Sequence, residues 1–239
     1  MTFPRYRQRW RDDFYAVLAG LMPGYQGSPC AFVRYGDGEA AIIAGRKYQT
    51  RADGWKYPGG YSDISKHLCN SLCCSLPGYS LGLPSPTYEQ EHLQELLPFV
   101  RVPYDRITWS KILIDTNYPK LLGKLPQFIG DCAVVGSSPK ADFFVPANGV
   151  DPFIGDEPIN AIVAELRREQ RPILVSAGPL SNIIIHRYWS LQAGDTRQTI
   201  IDIGSAIDKY LKGRVVRVYS KLKHKSRDWA PFIGGVPDV

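Results

Sequence analysis

The sequence predicts a single Rossmann-like α/β domain spanning residues 1–239, with a mostly parallel sheet flanked by helices. Short apolar runs alternate with amphipathic stretches of helical length, the pattern of βαβ units. Several of those runs end in glycine-containing loops that lead straight into a helix. At 239 residues, 44% hydrophobic and 22% charged, the chain is long enough for one full core and ordinary in composition for a globular fold. No Gly/Ser/Pro linker, internal repeat or low-complexity segment divides it.

Taken in order, Trp10, Phe14, Val17, Leu18 and Leu21 recur at spacings of three and four and predict a helix over 7–21. Pro23-Gly24 and Gly27-Ser28-Pro29 end it. Residues 30–34 read as a short strand, followed by Tyr35-Gly36-Asp37-Gly38-Glu39 and a helix of small residues over 40–44. The Gly- and Tyr-rich stretch 48–61 reads as a long loop, and 62–75 as a helix holding Cys69, Cys73 and Cys74 as small buried thiols. A strand over 81–84 runs into a Pro-rich loop, and 87–97 is helical. Residues 107–114 are apolar enough for either a strand or a buried helix. The second half is more regular. It holds a strand over 132–136, an amphipathic helix over 160–170, a buried strand over 172–176 and a helix from the Gly178-Pro179 turn to about 191. A strand over 199–204 and an edge strand over 215–219 complete the pattern.

The charge balance narrows the partners. Lys+Arg 29 against Asp+Glu 23 gives a net charge of +6 and a pI near 9.0, which favours an anionic partner without choosing among nucleic acid, phosphorylated small molecules and membrane surfaces. No run approaches the roughly 18–20 apolar residues of a membrane span. The basic N-terminus passes into Arg11-Asp12-Asp13 rather than an apolar segment, so no secretory signal is expected. Five cysteines, an odd number, favour a reducing compartment, and the expected location is cytoplasmic. Cys69, Cys73 and Cys74 lack paired C-x-x-C spacing, so no zinc site is expected there. His67, His92 and His186 fall in helical patterns and read as surface or packed residues. The densest basic run is 209–227, with Lys209, Lys212, Arg214, Arg217, Lys221, Lys223, Lys225 and Arg227. It reads as a solvated edge, a clamp for diphosphate, or a peripheral contact with an anionic membrane face. No recognisable nucleic-acid module accompanies it, and no nucleic acid is expected.

Chemistry concentrates at Arg34-Tyr35-Gly36-Asp37-Gly38-Glu39. In open parallel sheets, ligands bind beyond the carboxyl ends of strands, where these residues fall. Two carboxylates one residue apart, flanked by glycines, suit a hard cation such as Mg²⁺ or Mn²⁺ whose shell is completed by diphosphate oxygens and water. Arg34 suits a phosphate beside it. A plainer alternative makes Asp37 a helix N-cap and Glu39 a dipole partner. The turn Ala177-Gly178-Pro179-Leu180-Ser181 offers amides and a helix N-terminus to phosphate or ribose, or is a tight βα connection capped by Ser181. Gly136-Ser137-Ser138 is a weaker case of the same kind. No G-x-G-x-x-G or P-loop pattern occurs, which argues against nicotinamide and ATPase chemistry. The haloacid-dehalogenase Asp-x-Asp pattern is not met either, since the second acid is Glu.

The run Phe32-Val33-Arg34-Tyr35-Gly36-Asp37-Gly38-Glu39, followed by an Ala/Ile helix and Gly45, resembles the signature of the GT-D-fold glycosyltransferases, which carry an Arg-aromatic-Gly-Asp-Gly-Glu segment near the N-terminus. A second stretch, from Ile173 through Gly178-Pro179 to Asn182 and then Ile201-Asp202-Ile203-Gly204, is similar to that family's later strand ends. Where the family often has a His after Asp-Ile-Gly, this chain has Ser205-Ala206, and residues 48–130 do not carry the resemblance. The resemblance implies a GT-D-like fold and a hexosyltransferase of polysaccharide biosynthesis. It would transfer a sugar from a nucleotide diphosphate, a UDP-sugar being favoured, to a glycan or glycoconjugate acceptor with Mn²⁺ or Mg²⁺. It implies Asp37 and Glu39 as metal-holding catalytic residues. Arg34, Gly36, Gly38, Gly178, Pro179, Ser181 and Asn182 would be donor-binding. An acceptor base is also needed; Asp202, Asp142, Asp151 and Glu157 are candidates, with Asp202 preferred at a strand's carboxyl end. Tyr48, Trp55, Tyr57 and Tyr61 would either stack a sugar acceptor or pack the domain. A non-catalytic module binding nucleotides or anionic glycans, and a metal-dependent nucleotide-sugar hydrolase, remain alternatives.

Overall fold

A computed structural model of the chain describes residues 6–22, 24–50, 55–86, 89–114, 117–146, 150, 153–191 and 198–212. Its strands, in chain order, begin with β1 (Ala31–Arg34), then a separate antiparallel hairpin of β2 (Tyr48–Gln49) and β3 (Lys56–Tyr57). There follow β4 (Tyr79–Leu83), β5 (Ile107–Trp109), β6 (Ala133–Gly136), β7 (Phe143–Phe144), β8 (Ile173–Ser176) and β9 (Ile200–Asp202). Seven of them form one sheet in the order β5-β4-β1-β9-β8-β6-β7. Every described pairing in it is parallel, for instance Ala31 opposite Tyr79 on one side and Ile200 on the other.

Side chains alternate across these strands, and both faces are apolar, as a parallel sheet covered on both sides requires. Ala31 and Val33 point into one core while Phe32 points into the other. The first core is closed by α2 (Asp37–Ile43), α3 (Asp63–Leu72), α4 (Gln90–Leu96), α6 (Asp156–Leu166) and α7 (Pro179–Leu191), through Ile42, Leu68, Leu93, Val163 and Ile183. The second is closed by α1 (Tyr6–Ala19), α5 (Tyr118–Phe128) and α8 (Asp208–Lys212), through Phe14, Leu121 and Leu211. The chain builds outward from β1 through β4 to β5, then crosses over and works inward from β6 through β8 to β9. First and last strands thus meet at the centre, the switch point where open α/β sheets form a crevice at their carboxyl ends.

The α/β class and parallel sheet are as expected from sequence, with local differences. The helix after β1 begins at Asp37 rather than Ala40, because Gly36 takes the extended N-cap conformation. The expected long loop over 48–61 contains the β2–β3 hairpin. Residues 107–114 resolve into β5 and a following turn. Helix α5 was not anticipated. Its Tyr118, Leu121, Leu125 and Phe128 recur at helical spacing and are buried, but Pro126 inside the run reads as a breaker. Helix α6 starts at Asp156 rather than at 160, behind Gly155 with φ +86°. Cys74 is buried as expected, whereas Cys73 is exposed at the C-cap of α3, and all five thiols are free. The expected strand over 215–219 lies outside the described residues.

Candidate functional site

At the end of β1 the chain is pinned before it turns. The buried Tyr35 donates its backbone N–H to the Gly82 carbonyl and its hydroxyl to the Leu68 carbonyl of α3. Gly36 is then the N-cap of α2, which corrects the expectation that Asp37 would be. Asp37 is an exposed residue of the first turn, and Glu39 accepts the Gly36 N–H at 2.8 Å through Oε2. Enclosure pushes the Glu39 carboxyl up to about 7; the Gly36 N–H opposes that shift, and the Asp202 and Asp37 carboxylates add to it.

This has a measurable consequence in metal-free buffer. Its ordinary value is 4.5, so above that the unfolded chain has released a proton that the folded chain keeps up to about 7. Stability should therefore fall as pH rises through that window. Glu39→Gln keeps an oxygen for the Gly36 N–H and cannot ionise. The variant is expected to melt higher than the parent at about pH 8, with the gain shrinking toward about pH 4. Parallel melting curves with no difference between the two pH values would refute the assignment.

The carboxyl ends of β1, β5, β6, β8 and β9 surround a cavity of about 430 Å³. Of the residues expected from sequence, Arg34, Gly36, Asp37, Gly38, Glu39, Gly178 and Asp202 line it. Pro179, Ser181 and Asn182, expected to touch the donor, do not line it: all three are buried behind the wall. Ser181 Oγ accepts the Ala177 N–H at 3.0 Å, occupying one of the loop amides that phosphate would need. Asn182 Nδ2 donates to the Arg34 carbonyl at 2.9 Å and ties α7 to β1. These residues shape the loop rather than face a ligand.

Arg34 and Asp202 come from the two central strands. Arg34 Nη2 lies 3.4 Å from Asp202 Oδ1, with side-chain exposures of 13% and 7%. Asp202 also accepts the Gly204 N–H at 3.0 Å. Burial raises the Asp202 pKa, and the Arg34 guanidinium pulls it back down. Gly204 has φ +52°, and the Arg34 guanidinium rests where its Cβ would be.

Three features escaped the sequence reading. Tyr48 of β2 donates its hydroxyl to Asp37 Oδ2 at 2.7 Å, while its ring stacks on Trp55 at 5.1 Å and 27°. Lys111, just beyond β5, pairs with Glu89 at 2.9 Å, and Lys212 of α8 pairs with Asp208 at 2.9 Å. All seven residues line the cavity. Tyr48 and Trp55 were visible beforehand only as part of an aromatic cluster and Lys212 only as part of the basic run, while Lys111 carried no sequence signal.

The other expectations fall elsewhere. Asp142 pairs with Arg171 at 3.3 Å and accepts the Val134 N–H, and Glu157 is exposed on α6; neither lines the cavity. Asp151 lies outside the described residues. His67 pairs with Asp156 at 3.0 Å, a contact between α3 and α6 hidden from the sequence, and also meets Arg187. Tyr57 faces Ser62 and Ser65, packing the hairpin onto α3, and Tyr61 is exposed. Of the basic run, only 209–212 are described. Among the described residues, no helix is long and apolar enough to cross a membrane.

Charges in the cavity balance in a specific way. Its three cations, Arg34, Lys111 and Lys212, are each matched to a carboxylate. Asp37 and Glu39 are the two carboxylates left, and among the described residues neither is ion-paired. Among those residues no group of three His, Cys, Asp or Glu side chains is placed to hold a metal. A two-carboxylate donor set fits a hard divalent ion that takes its remaining ligands from water and phosphate, the usual Mg²⁺ pattern, and does not fit a closed protein cage.

No protein-family model matches the chain, and no curated protein matches it significantly. The fold is similar to a solved structure described as the highly conserved domain of unknown function 1792, with a distinct glycosyltransferase fold. The two share 15% identity at a TM-score of 0.53, over 87% of this chain and 82% of that one. The chain has a glycosyltransferase-like α/β fold.

Proposed function

We propose that the protein is a metal-dependent glycosyltransferase of the GT-D type, moving a hexose from a nucleotide-diphosphate sugar to a glycan or glycoconjugate acceptor. The observation that carries this reading is the pair of carboxylates, Asp37 and Glu39, left without cationic partners among the described residues, in a cavity whose other described charges pair. The Asp37 charge, joined by that of Glu39 once it ionises, repels a free diphosphate and attracts Mn²⁺ or Mg²⁺. The bound ion supplies charge stabilisation for the leaving diphosphate.

The chain's own residues do the rest. Asp37 and Glu39 hold the ion, and its arrival favours the ionised Glu39 that enclosure disfavours. Gly36 and Gly38 leave the approach to them open. Arg34, whose Nε has no hydrogen-bond partner among the described residues, faces the developing charge on the phosphate. Gly178 sets the loop on the opposite wall. Asp202, kept near the centre by Arg34 and Gly204, is the assigned acceptor base.

A thermal-shift panel of UDP-, GDP-, dTDP- and CMP-sugars, with and without Mn²⁺, tests the reading. One base, UDP being favoured, is expected to raise the melting temperature only with metal. Shifts that persist undiminished in EDTA would refute it. Rapid acceptor-independent release of nucleotide would instead identify a hydrolase, and binding without any turnover a non-catalytic module.

A further inference from the structure

The β2–β3 hairpin has no place in the central sheet, yet it reaches into the cavity and is braced on both sides. Its pairing is only internal, Tyr48 opposite Tyr57 and Gln49 opposite Lys56, with the Thr50 N–H closing onto the Trp55 carbonyl at 3.2 Å. One end is fixed by the Tyr57 hydroxyl, which meets the Gly60 carbonyl and lies 3.2 Å from Ser65 Oγ; Ser65 in turn donates to the Ile42 carbonyl of α2 at 3.0 Å. The other end is fixed by Trp55, only 6% exposed. A Cβ on Gly38 would lie 2.7 Å from the Trp55 ring, and one on Gly178 3.0 Å from its Nε1. The indole is thus seated between the two glycine loops, and the Tyr48 ring rests on it at 5.1 Å.

From this braced position Tyr48 donates to Asp37 Oδ2 at 2.7 Å. Asp37 is exposed at the first turn of a seven-residue helix and has no ion pair among the described residues. Nothing else described restrains its carboxylate. A phenol donor holds one oxygen and leaves the second uncommitted. Ligand carboxylates oriented by such outer hydrogen bonds bind metal more tightly, and loss of the partner typically lowers affinity about 10–100-fold.

We infer that Tyr48 is a positioning residue that orients the Asp37 carboxylate for a divalent cation, with Trp55 as the platform that fixes its ring. The inference rests on the proposed function above. Its test is Mn²⁺ affinity without any donor or turnover, read from the loss of the free hexaaqua Mn²⁺ resonance. Tyr48→Phe is expected to weaken binding about tenfold, with the melting curve unchanged. In an Asp37→Ala background, Tyr48→Phe is expected to have no further effect.

Equal affinity for Tyr48→Phe and the parent would overturn the inference and leave the metal reading intact. A parent that binds no Mn²⁺ would overturn both. Should the variant lose its fold, the parent labelled at the tyrosine Cζ carbon decides. Mg²⁺ must then shift one tyrosine resonance with the same midpoint as binding, and its absence at saturation refutes the role.

Discussion

Asp37→Ala is expected to abolish Mn²⁺-dependent donor binding and to lower sugar transfer at least about 100-fold, the scale of removing one well-placed electrostatic group. The variant removes one of the two lining carboxylates that have no cationic partner among the described residues. Glu39 alone is a poor replacement, since enclosure already pushes its carboxyl up to about 7. The fold should survive, because Asp37 is exposed and its described side-chain bond is to Tyr48. Melting temperature therefore separates this effect from unfolding. Transfer assays with purified donor, run across a Mn²⁺ series and in EDTA, check it. Activity retained by the variant, or metal-independent activity in the parent, would sink the two-carboxylate assignment.

Gly204→Ala is expected to be the most disruptive single-methyl change in the site. Two penalties combine there. The residue holds φ +52°, where an L side chain costs roughly 1–2 kcal/mol. Its Cβ would also overlap the Arg34 guanidinium, which has to leave. Asp202 would then be a buried carboxylate without its cation, a situation worth about 3–5 kcal/mol when it stays ionised. Gly60→Ala is the control, because it too has positive φ, +88°, but no described atom lies within 4 Å of its Cβ. The melting temperature of Gly204→Ala should fall below that of the control by several degrees, at about 2–4 °C per kcal/mol for a chain of this size.

The pH dependence of that deficit is a second readout. Burial already raises the Asp202 pKa in the parent, and loss of Arg34 removes the main opposing influence. A folded-state acid with a raised pKa loses stability as pH climbs through it, so the deficit should grow toward neutral pH and shrink on acidification. A deficit equal to that of Gly60→Ala at every pH would mean that Arg34 moves aside without consequence.

How legible the site was depends on how local each interaction is. Asp37 and Glu39 were visible because a glycine-flanked acidic pair directly follows an apolar strand, and both do line the cavity. Asp202 and Gly204 were visible as a strand end, but their contact with Arg34 was not, since it joins residues 168 apart. Ser181 and Asn182 sat in a loop of the right type. Their burial, which turns them into braces for Ala177 and Arg34, depends on α7 packing against β1. Helix α5 was hidden by Pro126, although its buried residues kept helical spacing. Lys111 carried no motif, and Lys212 was visible only as one member of the basic run; what the fold adds is their pairing with Glu89 and Asp208 at the cavity.

By itself the sequence determined the α/β class, the parallel alternation of strands and helices, and the acidic pair that follows the first strand. These are near-neighbour properties, set by hydrophobic period and by which residues tolerate a tight turn. Only the tertiary structure decided which charges cancel. The strand order brings β1 against β9 and so sets Arg34 beside Asp202, 168 residues away. Lys111 meets Glu89 from another element, while Lys212 meets Asp208 one turn back on its own helix. Charge pairing acts over a few ångströms of space and is blind to sequence distance, so the two carboxylates that remain free could be identified only once the chain was folded.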